Sequence, residues 1–185
     1  MLERLSPEET EARIAASHPD IRAIVEYWRM KAGARRMPGR TDIDPVDIKA
    51  FLPRITLVDV VPDARRFVYR LVGTEEVASR GSDPTGRSVV EAYFAASAEE
   101  SLGYYEHVAQ TGAPFCFRGD YRAPDGALEK QDVIFLPLSE DGETVNMILV
   151  FYYDYKYHPR VEDSSVLLRY HTRQDRDDPE SEDKD

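Results

Sequence analysis

The chain has 185 residues, 42% of them hydrophobic, and a formal net charge of −11 from 35 acidic and 24 basic side chains. That length suits one domain with a sizeable core, since a domain near 150 residues buries roughly 70% of the surface its unfolded chain exposes, and two full domains would be a squeeze. The acidic balance argues against sequence-independent DNA or RNA binding, which needs clustered Lys and Arg on phosphate, and the single cysteine excludes an internal disulfide.

Part of the charge is local. Residues 173–185 hold seven acids and three bases, so −4 belongs to that tail and −7 to the body. The only compact basic cluster, Arg35-Arg36 with Arg29, Lys31 and Arg40 nearby, reads as a solvated helix end and loop, because cations are favoured near helix C-termini. The N-terminus, Met1-Leu2-Glu3-Arg4-Leu5-Ser6, has no apolar core of a signal peptide. The longest apolar run, Val145 to Tyr153 broken by Asn146, falls far short of the ~20 residues that span a bilayer. The expectation is a soluble, cytoplasmic protein with neither a nucleic-acid nor a membrane partner.

In chain order, residues 6–16 suggest a short polar helix. Ser17-His18-Pro19-Asp20 reads as a fresh start, with Ser17 as cap, Pro19 in the first turn and Asp20 three residues after the cap. The helix that follows carries Ile21, Ile24, Val25 and Trp28 on one stripe and ends near Gly33. Pro38-Gly39 marks a turn, and Asp44-Pro45 predicts another short helix stopped by Pro53. Ile55 to Val61 is a strand, and Pro62-Asp63-Ala64 turns it into a second, Arg66 to Val72. Gly73-Thr74 stops that strand, with Thr74 placed to cap a helix over 74–80. A further short helix is expected over 88–94, then a longer one from Ser97 to Thr111, opened by Ser97-x-x-Glu100 and closed by Gly112. Three strands follow near 114–122, 128–138 and 144–155, joined by turns at Pro124-Asp125-Gly126 and Glu140-Asp141-Gly142-Glu143. Ser164 to His171 suits one more helix, and from Arg173 the polar, acidic composition predicts disorder.

Hairpin-length turns make the last three strands an antiparallel meander and the first two a hairpin. The helices between them must cross one face of the sheet, which gives an α+β layer. The last strand is apolar on both sides, as a central strand covered on both faces would be. The helix bearing Ile21 to Trp28, or a partner molecule, is its expected second cover.

Several segments of this order resemble a PAS domain. They are Ile24-Val25-Glu26-Tyr27-Trp28-Arg29, Pro38-x-Arg40-x-Asp42-Ile43-Asp44-Pro45, Leu52-Pro53, Phe67-x-Tyr69-Arg70-Leu71-Val72-Gly73-Thr74 and Gly81-x-Asp83-x-Thr85-Gly86. More narrowly, the chain is similar to the stand-alone bacterial PAS-like family found chiefly in alphaproteobacteria and sometimes called PAS_5. The resemblance covers roughly residues 20–155. It implies a five-stranded antiparallel PAS-like sheet, helices across one face and an N-terminal helical extension. The organisation expected is a polar extension over 1–18, a PAS-like domain over 19–157 and an acidic tail over 158–185. The implied role is sensory or protein-interacting, with no ligand, cofactor or reaction named.

PAS-type folds bind small molecules between the sheet and the crossing helices. The corresponding candidates here are Phe67, Tyr69, Tyr93, Tyr105, Phe117, Phe135, Met147 and Phe151; the plainer reading is that these side chains simply fill the core. His107 lies in the helix where haem-binding PAS domains often supply an iron ligand, but a lone helical histidine is more often a surface or hydrogen-bonded core residue. His18, His158 and His171 lack metal-ligand spacing. Cys116 sits outside any flavin-adduct motif and reads as structural. Asp59, Asp120 and Asp132 are strand carboxylates that nothing in the sequence pairs into an acid–base dyad. The Gly81–Gly86 segment lacks the lysine of a phosphate loop and reads as a turn.

The function expected is a PAS-fold sensory or signalling protein acting through protein–protein contact, with a small ligand between sheet and helices. The expected contact is a homodimer or protein partner met through the 19–33 helix, by way of Ile24 and Trp28. The alternatives are a small α+β enzyme using the same pocket and a ligand-free structural adaptor.

Overall fold

The computed structural model describes residues 5–95, 97–122 and 128–155. The turn at Pro124-Asp125-Gly126, the helix expected over 164–171 and the acidic tail lie outside those residues. Five strands, β1 (Ile55–Val60), β2 (Phe67–Val72), β3 (Phe115–Arg122), β4 (Leu128–Leu138) and β5 (Met147–Asp154), form one sheet in the order β2-β1-β5-β4-β3. Every neighbouring pair is antiparallel. β5 is therefore the central strand, and its Leu149, Val150 and Phe151 are all buried, as a strand apolar on both sides requires.

Four helices accompany the sheet: α1 (Pro7–Ala16), α2 (Pro19–Ala32), α3 (Thr74–Arg80) and α4 (Ala98–Thr111). α1 packs on β3, and α2 on β4 and β5; α4 packs on the same strands and lines, with α3, the other face. The α2 stripe is thus consumed inside the chain. Ile21, Ile24, Val25 and Trp28 are buried, and the Trp28 indole N–H donates to the Pro137 carbonyl at 2.8 Å. Ile24 and Trp28, expected to meet a second copy, instead cover this chain's own sheet, because β4 and β5 offer the larger apolar surface at no cost of association.

Some local readings need correcting. The residue capping α2 is His18, whose Nδ1 accepts the Asp20 N–H at 3.2 Å. Ser17 closes α1 instead, its hydroxyl donating to the Arg13 carbonyl at 2.7 Å. Residues 45–51 form successive turns followed by a single 3-10 turn, Leu52–Arg54, in place of the expected helix. In place of a helix over 88–94, Ser88 bridges to Val68 and 89–92 form a turn, where Ser88 and Glu91 exchange side-chain and backbone hydrogen bonds that are not continued.

The start of α3 shows why Thr74 is not the cap. Gly73 holds that position without any side-chain bond, and Thr74 is already helical. A Cβ at Gly73 would lie 2.3 Å from the Pro53 carbonyl oxygen. Only glycine allows β2 to turn into α3 so tightly against the 3-10 turn. The basic cluster is dispersed into separate contacts: Arg29 with Glu11, Lys31 with Asp47, Arg35 with Asp42, and Arg36 with the Thr111 carbonyl.

Candidate functional site

Between the sheet and the α3–α4 layer lies a cavity of about 590 Å³, within the range typical of small-molecule sites. Period-two alternation decides which strand residues reach it. β4 contributes Gln131, Val133 and Phe135, and β5 contributes Val150 and Tyr152. Tyr69 enters from β2 and Phe117 from β3; Tyr93 and Phe94 come from the segment before α4, and Glu100, Ser101, Tyr104 and Tyr105 from α4 itself.

Five of the eight sequence candidates meet here: Tyr69, Tyr93, Tyr105, Phe117 and Phe135. The other three do not line the cavity. Phe151 and Met147 alternate with Val150 and Tyr152, so Phe151 turns to the α2 side, its ring 5.3 Å from that of Phe51. Phe67 is buried beside the site, with its ring 5.6 Å from Tyr105. His107 is half-buried against Phe115 and stands outside the lining. Cys116 is buried on the α1 side 3.5 Å from the Ser17 hydroxyl, and burial pushes its thiol up to about 11, which suppresses the reactive thiolate.

One wall is ionic. Glu76 and Arg80, four residues apart on α3, form a buried pair: Arg80 Nε donates to Glu76 Oε1 at 2.8 Å, and a second guanidinium N–H donates to the same oxygen. Thr56 on β1 donates to Glu76 Oε2 at 3.1 Å. Arg80 also donates to the Ala92 carbonyl at 2.9 Å, and its guanidinium lies 5.0 Å from the Tyr69 ring centre and 4.6 Å from that of Phe94. Burial works against its charge, but Glu76 more than offsets that and holds the guanidinium above its ordinary range.

The Tyr69 hydroxyl accepts from Arg80 at 3.4 Å, and the Tyr105 phenol interacts with both. Burial raises the pKa of both phenols, so each stays neutral. β1, α3 and β2 are thereby joined by one chain of polar contacts. On α4, the Tyr104 hydroxyl donates to Glu100 Oε1 at 2.6 Å.

Three further polar groups are uncommitted. Gln131 is 8% exposed and Ser101 4% exposed, yet neither side chain has a hydrogen-bond partner among the described residues, nor does the Tyr152 hydroxyl. Buried polar groups are normally paired, and these three border open space. The cavity lining therefore offers donors and acceptors to an occupant, between walls of aromatic rings.

The sequence matches the PAS domain family, PAS_5, over residues 16–152. The chain belongs to that PAS family. Among curated proteins none matches. Solved structures similar to this PAS domain include the PAS domain of Bordetella pertussis BvgS, 15% identical, with a TM-score of 0.45 over 66% of this chain and 88% of that one. The Vibrio cholerae VqmA dimer is 15% identical, with a TM-score of 0.47 over 65% of this chain and 55% of that one. The PAS domain of the HTR-like protein from Haloarcula marismortui is 20% identical, with a TM-score of 0.38 over 59% of this chain and 95% of that one.

The polar half of this PAS cavity was hidden in the sequence. For Glu76 and Arg80 the one available signal is their spacing of four, at which helical side chains meet. Gln131 and Tyr152 become visible only once the register Gln131↔Asp154 and Val133↔Tyr152 fixes which side of β4 and β5 looks at the helices.

Proposed function

We propose that the chain is a sensory PAS domain that takes a small organic ligand into the cavity between the sheet and α3–α4, and passes occupancy on through contact with another protein or a second copy. The observation that carries this reading is the cavity of about 590 Å³ bordered by the unpartnered, buried Gln131 and Ser101. A merely structural core would close that space or pair those groups.

The enzyme reading draws less support. The buried ionisable pair at the site, Glu76 with Arg80, is spent on itself and on Thr56, Ala92 and Tyr69, which leaves neither side chain available as a general acid or base. The adaptor reading asks for a filled interior, which the cavity opposes. The net charge of −11 argues against nucleic acid as the partner. Among the described residues no helix is long and apolar enough to cross a membrane. One buried, free cysteine accords with a reducing, cytoplasmic setting.

Native mass spectrometry of the purified protein is the direct test. A retained small molecule that is lost in Val133→Trp, a substitution that fills the cavity, is the expected result. Retention of the same molecule by a folded Val133→Trp variant places the binding elsewhere and overturns the reading.

A further inference from the structure

We infer that the cavity selects an organic cation, an aromatic ring system carrying an ammonium group. This inference rests on the ligand-binding reading above and adds the ligand's chemical class. It follows from the charge of the lining once its internal pairing is counted.

Four lining residues are formally charged: Glu76, Arg80, Glu100 and Asp120. Glu76 and Arg80 cancel. Arg80 has its Nε and both terminal nitrogens engaged, and a flat face of its guanidinium lies near Tyr69 and Phe94. An anionic ligand would find no free cation there. What remains is negative: Glu100 on α4 and Asp120 at the exposed end of β3, neither of which has an ion-pair partner among the described residues. Glu100 receives only the neutral Tyr104 hydroxyl, on Oε1, and its second oxygen has no partner among the described residues.

The same lining carries Tyr69, Tyr93, Phe94, Tyr104, Phe117 and Phe135. Aromatic faces are electron-rich and attract a desolvated ammonium, while the same rings stack on a flat apolar body. The body of the protein adds a field of the same sign, −7 of the chain's −11 lying outside residues 173–185, which concentrates cations at the mouth. Gln131, Ser101 and Tyr152 then supply hydrogen bonds to polar atoms along the ligand's edge, and these fix its orientation.

The test is isothermal titration calorimetry of the full chain with three probes of matched shape: naphthylethylammonium, naphthylethanol and naphthylacetate. The cation is expected to bind about tenfold or more tighter than the alcohol, the ratio for one desolvated cation–π or carboxylate contact, and the acid more weakly than both. Glu100→Gln keeps an acceptor for Tyr104 and removes the charge, so it should cut the cation's affinity about tenfold and leave the alcohol's unchanged, with an unaltered circular dichroism spectrum. Val133→Trp should abolish binding of the cation and the alcohol. Equal affinities for cation and alcohol, or a preference for the acid, overturn the charge selection while leaving the ligand-binding reading intact. Binding of none of the three also overturns it; if native mass spectrometry then finds no retained molecule either, the ligand-binding reading falls with it.

Discussion

Gln131 and Asp132 are neighbours on β4 and belong to two different environments. Asp132 is fully buried on the α1–α2 side, where its carboxylate accepts the His18 backbone N–H at 2.9 Å and the Tyr155 hydroxyl at 2.7 Å, with Arg118 Nε at 3.3 Å. Around it Trp28 is pinned to Pro137, and Arg54 to Asp20 at 2.9 Å, with the Arg54 guanidinium 4.9 Å from the Phe151 ring centre. One residue away, the Gln131 amide borders the cavity without a partner among the described residues. The two faces of one strand have thus been put to different uses. On the first face the Asp132 carboxylate draws helices and sheet end together, although its Oδ1 and Arg54 Nη1 have no hydrogen-bond partner among the described residues; on the second, Gln131 stays unpaired among them beside open space.

The contrast breaks most plainly at Asp132. Replacing it with alanine strands two donors, at the junction of α1 and α2 and at the end of the sheet, and leaves Arg118 without its ion-pair partner, so a loss of about 3 kcal/mol is expected in urea denaturation. A loss below about 1 kcal/mol would show that this face is not held together as described.

A smaller effect comes from pH. His18 caps α2 with a neutral Nδ1 and stacks on Tyr153 with ring centres 3.4 Å apart. Burial lowers its pKa, Asp20 and Asp132 oppose that, and Arg54 and Arg22 reinforce it. Above the ordinary histidine value both folded and unfolded chains hold it neutral, so it contributes no pH dependence. As pH falls below about 6.5 the unfolded chain takes up the proton first and stability drops, with a slope of at most about 1.4 kcal/mol per pH unit for one group. His18→Asn keeps a capping acceptor and should flatten that slope between about pH 6.5 and 5. An unchanged slope would place the titrating group elsewhere.

The smallest change is expected at Gln131. Gln131→Leu removes no protein–protein hydrogen bond, so stability should stay within about 0.5 kcal/mol, even though the residue is as buried as many core positions. A loss of 2 kcal/mol, on the order of an unsatisfied buried group left behind, would mean that the amide holds a structural partner and that the two faces are alike.

How much of this was legible in the sequence depends on which interactions are local. The strands were readable because their alternation and turn residues are written into consecutive positions, and β4 falls on 128–138 as expected. The central place of β5 followed from its two apolar faces. The cavity aromatics were only partly legible: Met147 and Phe151 are as apolar as Phe117 and Phe135, and the pairing of β4 with β5 alone decides which side each one faces. Asp132 looked like any strand carboxylate, since His18 and Arg118, which make it a hub, lie 114 and 14 positions away in the chain. The turn at 89–92 misled because a reciprocal Ser–Glu pair looks the same in sequence whether or not a helix continues beyond it.

Gly73 also bears on the shape of the cavity, through the helix that starts beside it. With 2.3 Å between its absent methyl and the Pro53 carbonyl oxygen, any other residue at this position would push the N-terminal end of α3 off the 3-10 turn. A side chain at Gly73 would therefore displace the start of the wall that bears Glu76 and Arg80. With Gly73 kept, the size of the cavity is set by side chains such as Tyr69, Phe117, Val133 and Phe135 on that frame.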